Sequence, residues 1–281
     1  RRSVVIAIDG PAGSGKSTLA REVAKRMGMR YLDTGAMYRA VTLVALEEGL
    51  VPDRITDAGT LAARTTIRLE ERADDLSRVF VDDREVTDEI RGQLVTTHVS
   101  AVSADPGVRE VLTLVQRSQA AGGDVVLEGR DMGTVVCPQA DLKIFLTASV
   151  EERARRRQLQ LQAKGVTQSL QELEADIIRR DAYDSGRALA PLRRASDAVE
   201  IDTTGLSIAE VIEAVCSEAG KRVSSPPGAS SCTDVAPASA GRSAVVRRWP
   251  LSRMVRSPLD TLLYRFAYSF VPAVWKTLFR M

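Results

Sequence analysis

The chain opens on an apolar run, Ser3 to Asp9 (SVVIAID), rich in Val and Ile, which predicts a buried strand. A Gly-rich segment follows, then apolar positions at helical spacing in TLAREVAKRMG, halted by Gly28. Strand, Gly loop and helix form the first half of an α/β unit. YLDTGAMYRAVTLVALEEG predicts a short strand, a Thr/Gly turn and a second helix. From residue 60 to 95 the period shortens. There TIRLEE and SRVFVDDREVT alternate as half-exposed strands do, with Asp82 and Asp83 at a tight turn, and a small antiparallel insertion is expected.

Helical spacing returns across residues 93–121. Asp124 to Leu127 and Leu142 to Leu146 read as buried strands of a parallel sheet. Val150 to Gly165 is a strongly charged helix, and Ser169 to Asp184 another. A strand (AVEIDTT, 198–204) and an amphipathic helix (207–220) close the pattern, with Ser207 and Glu210 placed as a capping box. Val223 to Ser243 is Ser, Pro, Ala and Gly, a linker that cannot bury a core. The expected layout is an α/β domain over 1–222, a flexible linker over 223–243 and a tail over 244–281.

Composition narrows the class. With 44% apolar and 27% charged residues, the 281-residue chain resembles neither a disordered nor a collagenous nor a polytopic membrane protein. A formal charge of +2 gives no field for nucleic acid. Cys137, Cys216 and Cys232 stand far apart, and His98 is the single histidine, so neither a disulfide framework nor most zinc sites fit. His98 itself reads as structural. No signal or transit segment is visible, so a cytoplasmic location is expected. Arg1 stands where a Met would, and Met281 falls inside an apolar aromatic stretch, as in a fragment of a longer chain. Charge is unevenly shared: residues 242–281 carry +7 and the first 241 carry −5. Seven of the twelve aromatics lie in those last forty residues.

The chemistry begins at GPAGSGKS. Gly10, Pro11, Ala12, Gly13, Ser14, Gly15, Lys16 and Ser17, with Thr18 behind them, match G-x-x-x-x-G-K-[ST] between a predicted strand and a predicted helix. Glycines let backbone N–H groups converge on phosphate, and the helix N-terminus adds positive potential. Lys16 can reach the β- and γ-phosphates of a donor nucleotide, and the Ser17 hydroxyl can ligate Mg²⁺. Strand, helix, Lys and Ser together speak against a bare turn. The motif alone does not say whether the chain is a switch, a motor or a kinase.

Arginines decide that. Joining two anionic substrates requires two polyphosphates to be neutralised at close range, which guanidinium forks do best. Arg39, Arg109, Arg130, Arg153, Arg156, Arg157, Arg180 and Arg187 fall at or near predicted element ends. Arg155 to Arg157 alone would equally suit a solvated helix face. EGRDMGT (128–134) directly follows a buried strand, where ligands of open α/β sheets bind.

GPAGSGKST, LDTGAMYR (32–39), EVTDEIR (85–91), EGRDMGTVV (128–136), KIFLTAS (143–149), ERARRR with LQLQ and KG (152–165), and RRD with YDSGRALAPL (179–192) occur in order. Together they resemble bacterial cytidylate kinases across about residues 3–222. The resemblance implies phosphoryl transfer from ATP to CMP or dCMP. It also implies a P-loop NTPase three-layer fold: a five-stranded parallel sheet, a lid near 150–168 and a monophosphate-binding domain enlarged by the insertion near 62–95. By motif, Thr34 stands where the family has a base-contacting serine. Arg39 and Arg130 match arginines of the acceptor phosphate, Arg109 and Asp131 residues at the cytosine with Arg187 nearby, and Ser100, Arg180 and Asp184 residues around the pentose. Arg153, Arg156 and Arg157 match lid arginines. An ionised Asp131 would accept from the cytosine amine and repel the uracil carbonyl. The carboxylate behind Mg²⁺ is open; Asp33 is one candidate, and capping the following turn is its other role. A monomeric kinase domain is expected.

Two rival readings make different demands on the sequence. A nucleotide-regulated switch would need N-K-x-D and a D-x-x-G placed after a strand, and neither is found. A kinase for UMP, dTMP or shikimate fits the phosphate loop, but the insertion and EGRDMGT argue for CMP. The tail, SPLDTLLYRFAYSFVPAVWKTLFRM, has three readings: a basic aromatic amphipathic segment for anionic membrane surfaces, the opening of a second domain, or an inert appendage. It faintly resembles the segment ahead of the core in glycerolipid acyltransferases, whose H-x-x-x-x-D motif this chain lacks.

Overall fold

The computed structural model describes residues 3–51, 55–70, 77–163, 165–223 and 243–245. The tail beyond Val245, Cys232 and nearly all of the 223–243 linker lie outside the described residues. In chain order the elements are β1 (Val5–Asp9), α1 (Lys16–Met27), β2 (Arg30–Asp33), α2 (Thr34–Glu47), α3 (Ala58–Arg64), β3 (Ile67–Glu70), β4 (Arg78–Val81), β5 (Arg84–Glu85) and α4 (Gln93–Val102). There follow α5 (Pro106–Ala121), β6 (Val125–Gly129), β7 (Leu142–Thr147), α6 (Val150–Gln162), α7 (Leu170–Ser185), β8 (Val199–Asp202), α8 (Ile208–Val223) and β9 (Ser243–Val245).

Five strands form a sheet in the order β2-β6-β1-β7-β8, every neighbouring pair parallel. Alternate side chains leave opposite faces, and both faces are covered. Ile6 and Ile8 join Leu142, Ile144 and Leu146 against α1 and α8, while Ala7, Val125 and Leu127 face α2 and α5. This two-sided burial explains why the strands read as continuous apolar runs. The phosphate loop, β6 and β7 thereby end on one carboxyl edge, where open α/β sheets bind ligands.

The predicted turn between β2 and α2 is absent. Asp33 caps α2 directly, its carboxylate accepting from the Ala36 amide at 2.9 Å. The helical spacing of 93–121 is two helices, because Asp105 caps a new start with Pro106 in its first turn. After β6, EGRDMGT leads into a π-helical turn at Met132–Val136. Ser207 and Glu210 form the capping box the pattern predicts, with reciprocal bonds of 2.8 and 3.3 Å. The insertion is antiparallel, β3 pairing β4 and β4 pairing β5 across left-handed Asp82 and Asp83. One strand was not legible in the sequence. Ser243–Val245 pairs antiparallel with β3, because a sheet edge accepts backbone of almost any composition.

α3 and α5 cross at Gly59 and Gly107. A Cβ on Gly59 would lie 2.7 Å from the Gly107 Cα, a backbone obstacle that cannot rotate away. Gly59→Ala should therefore lower stability by about 1–3 kcal/mol through overpacking, read as a reduced urea midpoint with unchanged slope.

Candidate active site

The loop between β1 and α1 is shaped by close approach. A Cβ on Gly10, at φ +149°, would meet the Leu146 carbonyl at 2.3 Å, and Gly13, at φ +78°, leaves 3.2 Å to the Arg153 Cβ. Lys16 lies folded back over this loop, its ammonium donating to the Pro11 carbonyl at 2.6 Å. Burial, followed by the charge of Arg130, pushes the Lys16 pKa down. An anion arriving at the loop would offset both effects by favouring the charged ammonium.

A cleft of about 960 Å³ opens above the loop. Of the phosphate-loop residues, Ala12, Gly13, Ser14, Gly15, Lys16, Ser17 and Thr18 line it, while Gly10 and Pro11 support them from behind. Arg39, Arg130, Arg156, Arg157 and Arg180 line it from four other segments. Arg39 donates to the Ile90 carbonyl at 3.1 Å and the Thr96 hydroxyl at 3.0 Å. Arg130 donates to Asp184 at 2.9 Å, and Asp184 also pairs with Arg187. Arg180 is pushed down to about 10, by burial first and then by Arg130, and its Nε has no hydrogen-bond partner. Burial lowers Arg39 likewise, with Arg157, Arg91 and Arg130 adding repulsion. The mutual repulsion of guanidinium groups crowded in this way would be relieved by an anion placed among them.

Thr34, Ser100, Arg109, Asp131, Asp184 and Arg187 do not line this cleft. The Thr34 hydroxyl donates to the Glu128 carbonyl at 2.6 Å and is buried. Ser100 is half-buried on α4, one turn past Thr96. Arg109 and Asp131 form a buried ion pair, and Arg109 also donates to the Ser103 carbonyl at 3.1 Å. Burial pushes the Asp131 carboxyl up, and Arg109 pulls it back. Asp131 is next in sequence to Arg130, so the Arg109–Asp131 pair adjoins the Arg130–Asp184–Arg187 group.

Arg153, which matches a lid arginine, is engaged within the protein in this structure. It is buried and holds Asp181 at 2.6 Å, Ala148 O at 3.0 Å and Ala12 O at 3.3 Å. It thus clasps α6 to α7 and to the phosphate loop. Arg156 is tied to Glu152 at 2.8 Å and to the Thr203 carbonyl at 2.7 Å.

Two carboxylates escaped the sequence reading. Glu128 accepts from the Ser17 hydroxyl at 2.8 Å and from Tyr31, and burial followed by Asp33 raises its pKa. Asp9 accepts from the Met132 and Gly133 amides, each at 2.8 Å, and burial pushes it up to about 6. Both stand at carboxyl ends of parallel strands, and that position was the available signal.

The profile of the Cytidylate kinase family matches residues 6–221. The cytidylate kinase of Geobacter sulfurreducens is 50% identical over 229 residues, 82% of this chain and 98% of that one. That of Streptococcus pneumoniae serotype 19F is 50% identical over 224 residues, 79% of this chain and all of that one. A bifunctional pantoate ligase/cytidylate kinase of Synechococcus is 54% identical over 212 residues, 75% of this chain and 39% of that one.

Proposed function

This chain belongs to the cytidylate kinase family, and from that premise we propose how its residues divide the transfer of a phosphoryl group from ATP to CMP or dCMP. The protein is an ATP-dependent (d)CMP kinase, and the products are ADP with CDP or dCDP. The observation that carries the division of labour is the gathering of Arg39, Arg130 and Arg180 beside Lys16 at one cleft.

The phosphate loop takes ATP. Lys16 exchanges the Pro11 carbonyl for donor phosphate oxygens, a short motion that lets the anion offset its buried charge. Arg39 and Arg130 hold the acceptor phosphate, while Arg180, Arg156 and Arg157 spread over the transferring group. Arg153 keeps the lid helix against the loop. No dedicated base is required, since an acceptor phosphate oxygen is already ionised at neutral pH. Asp131 with Arg109 selects cytosine, and Thr34, Ser100, Asp184 and Arg187 complete the base and pentose contacts. Asp184 has a second part: its carboxylate orients Arg130 and Arg187 together.

Hard oxygen donors suit Mg²⁺ at this place. The Ser17 hydroxyl faces the Glu128 carboxylate at 2.8 Å, with Asp33 beside them in the cleft lining. Among the described residues no trio of His, Cys, Asp or Glu could hold a metal, so the nucleotide phosphates would supply most ligands. Bound there, Mg²⁺ would neutralise charge on the donor phosphates. Ser17 would ligate it, and Glu128, which already faces the Ser17 hydroxyl, or Asp33, which caps α2 through one oxygen only, would order its water.

Coupled ADP release across CMP, dCMP, UMP, dTMP and shikimate tests the acceptor. Turnover is expected with CMP and dCMP at least tenfold above the others, and residues 1–222 alone should retain it. Equal UMP turnover would overturn the cytosine reading.

The kinase unit is read as cytoplasmic and monomeric, with any membrane contact made through the tail. Among the described residues no helix is long and apolar enough to cross a membrane. The tail's excess of basic and aromatic residues supports a peripheral contact, at about 1 kcal/mol per basic residue near anionic lipid. Full-length chain should co-sediment with anionic vesicles at low salt and residues 1–222 should not; both remaining in the supernatant would exclude it.

A further inference from the structure

Behind the Arg109–Asp131 pair lies a polar layer that the phosphoryl-transfer chemistry does not use. Gln116 is fully buried on α5, and neither its amide nitrogen nor its amide oxygen has a hydrogen-bond partner. Tyr38, on α2, is buried, and its hydroxyl is likewise without a partner. The two belong together: α2, which carries Tyr38, packs against α5, which carries Gln116, and both side chains are buried in that contact, with the Gln116 amide acting on the Tyr38 hydroxyl. The Arg109 guanidinium carbon stands 5.5 Å from the centroid of the Tyr38 ring, at cation–π distance. Arg109 and Gln116 share α5, seven residues and two turns apart, and so face the same side.

Burying three polar atoms in an apolar core is costly unless they bond. An aliphatic residue at 116 would fill this place without that cost. A bond between amide and hydroxyl when the site is engaged, direct or through one enclosed water, would satisfy the hydroxyl and one of the two amide atoms and so remove most of that cost. Such a bond would fix the tilt of the Tyr38 ring, on which Arg109 rests, and Arg109 in turn holds Asp131.

We propose that Gln116 and Tyr38 are positioning residues for acceptor selection, joined by a buried hydrogen bond that sets the Arg109–Asp131 pair at the cytosine. This rests on the assignment of Asp131 to the base. Neither side chain needs to touch the substrate; the effect passes through the ring face and the guanidinium. It should therefore appear in base preference and in KM for CMP, and leave donor binding alone.

The test is steady-state kinetics with CMP and with UMP for the parent, Gln116→Leu, Tyr38→Phe and the double variant, each checked by thermal unfolding. Tyr38→Phe keeps the ring under Arg109 and removes only the hydroxyl. Each single variant should lower the CMP to UMP ratio of kcat/KM about tenfold, with KM for ATP unchanged. The double variant should be no worse than either single one, because both remove the same bond. A folded Gln116→Leu, or Tyr38→Phe should the leucine variant not fold, that keeps the parental ratio overturns the proposal. So do losses that multiply in the double variant. A parent that does not prefer CMP removes the Asp131 assignment instead, and this inference with it.

Discussion

Lys16→Ala is expected to fold normally and to lose phosphoryl transfer by about 10²–10³-fold or more in kcat, the scale for removing one preorganised charge at a developing anion. The fold should not suffer. Lys16 is almost fully buried, and burial together with Arg130 already disfavours its charged form. Alanine removes that cost along with the bonds to the Pro11 carbonyl and the Ser14 hydroxyl. The glycines that shape the loop and the helix N-terminus behind it remain, so weakened nucleotide binding should persist. The measurements are single-turnover ADP formation beside circular dichroism and urea unfolding. A folded variant with substantial turnover would remove Lys16 from the chemistry.

Asp131→Asn should lower the preference for CMP over UMP by about 10²-fold or more, with KM for ATP little changed. Asparagine keeps the volume but turns one carboxylate oxygen into a donor, which suits the uracil carbonyl and opposes the cytosine amine. Alanine is a poorer probe. Both changes leave the buried Arg109 charge unbalanced, at a cost of up to about 3–5 kcal/mol, but asparagine keeps an oxygen to accept from the guanidinium and alanine keeps none. Kinetics with both nucleotides at fixed ATP distinguish the outcomes, and an unchanged ratio would release Asp131 from base recognition.

Local rules made much of this protein legible. The Val- and Ile-rich runs become parallel strands because both sheet faces are covered, Gly28 ends α1 in a left-handed cap, and Ser207 with Glu210 caps the last helix. The phosphate loop is equally local, since its glycines, Lys16 and Ser17 are adjacent in sequence and their conformation follows from that. The arginines were legible as a set but not as a geometry. Arg153 and Arg156 sit in the same charged run, yet one is a buried clasp and the other lines the cleft. Which face of α6 meets α7 decides this, and a run of adjacent charges carries no mark of it.

The amino-acid sequence by itself determined the alternation of strands and helices, the phosphate loop and the antiparallel insertion, because each depends on side chains within a few residues of one another. The tertiary structure alone decided that Glu128 faces Ser17, that Asp9 holds the Met132 and Gly133 amides, and that Arg109 pairs with Asp131. Those partners lie 111, 123, 124 and 22 residues apart. Their meeting depends on the order in which strands join the sheet and on burial that makes an unpaired charge too costly to keep. Neither is a property of any one segment.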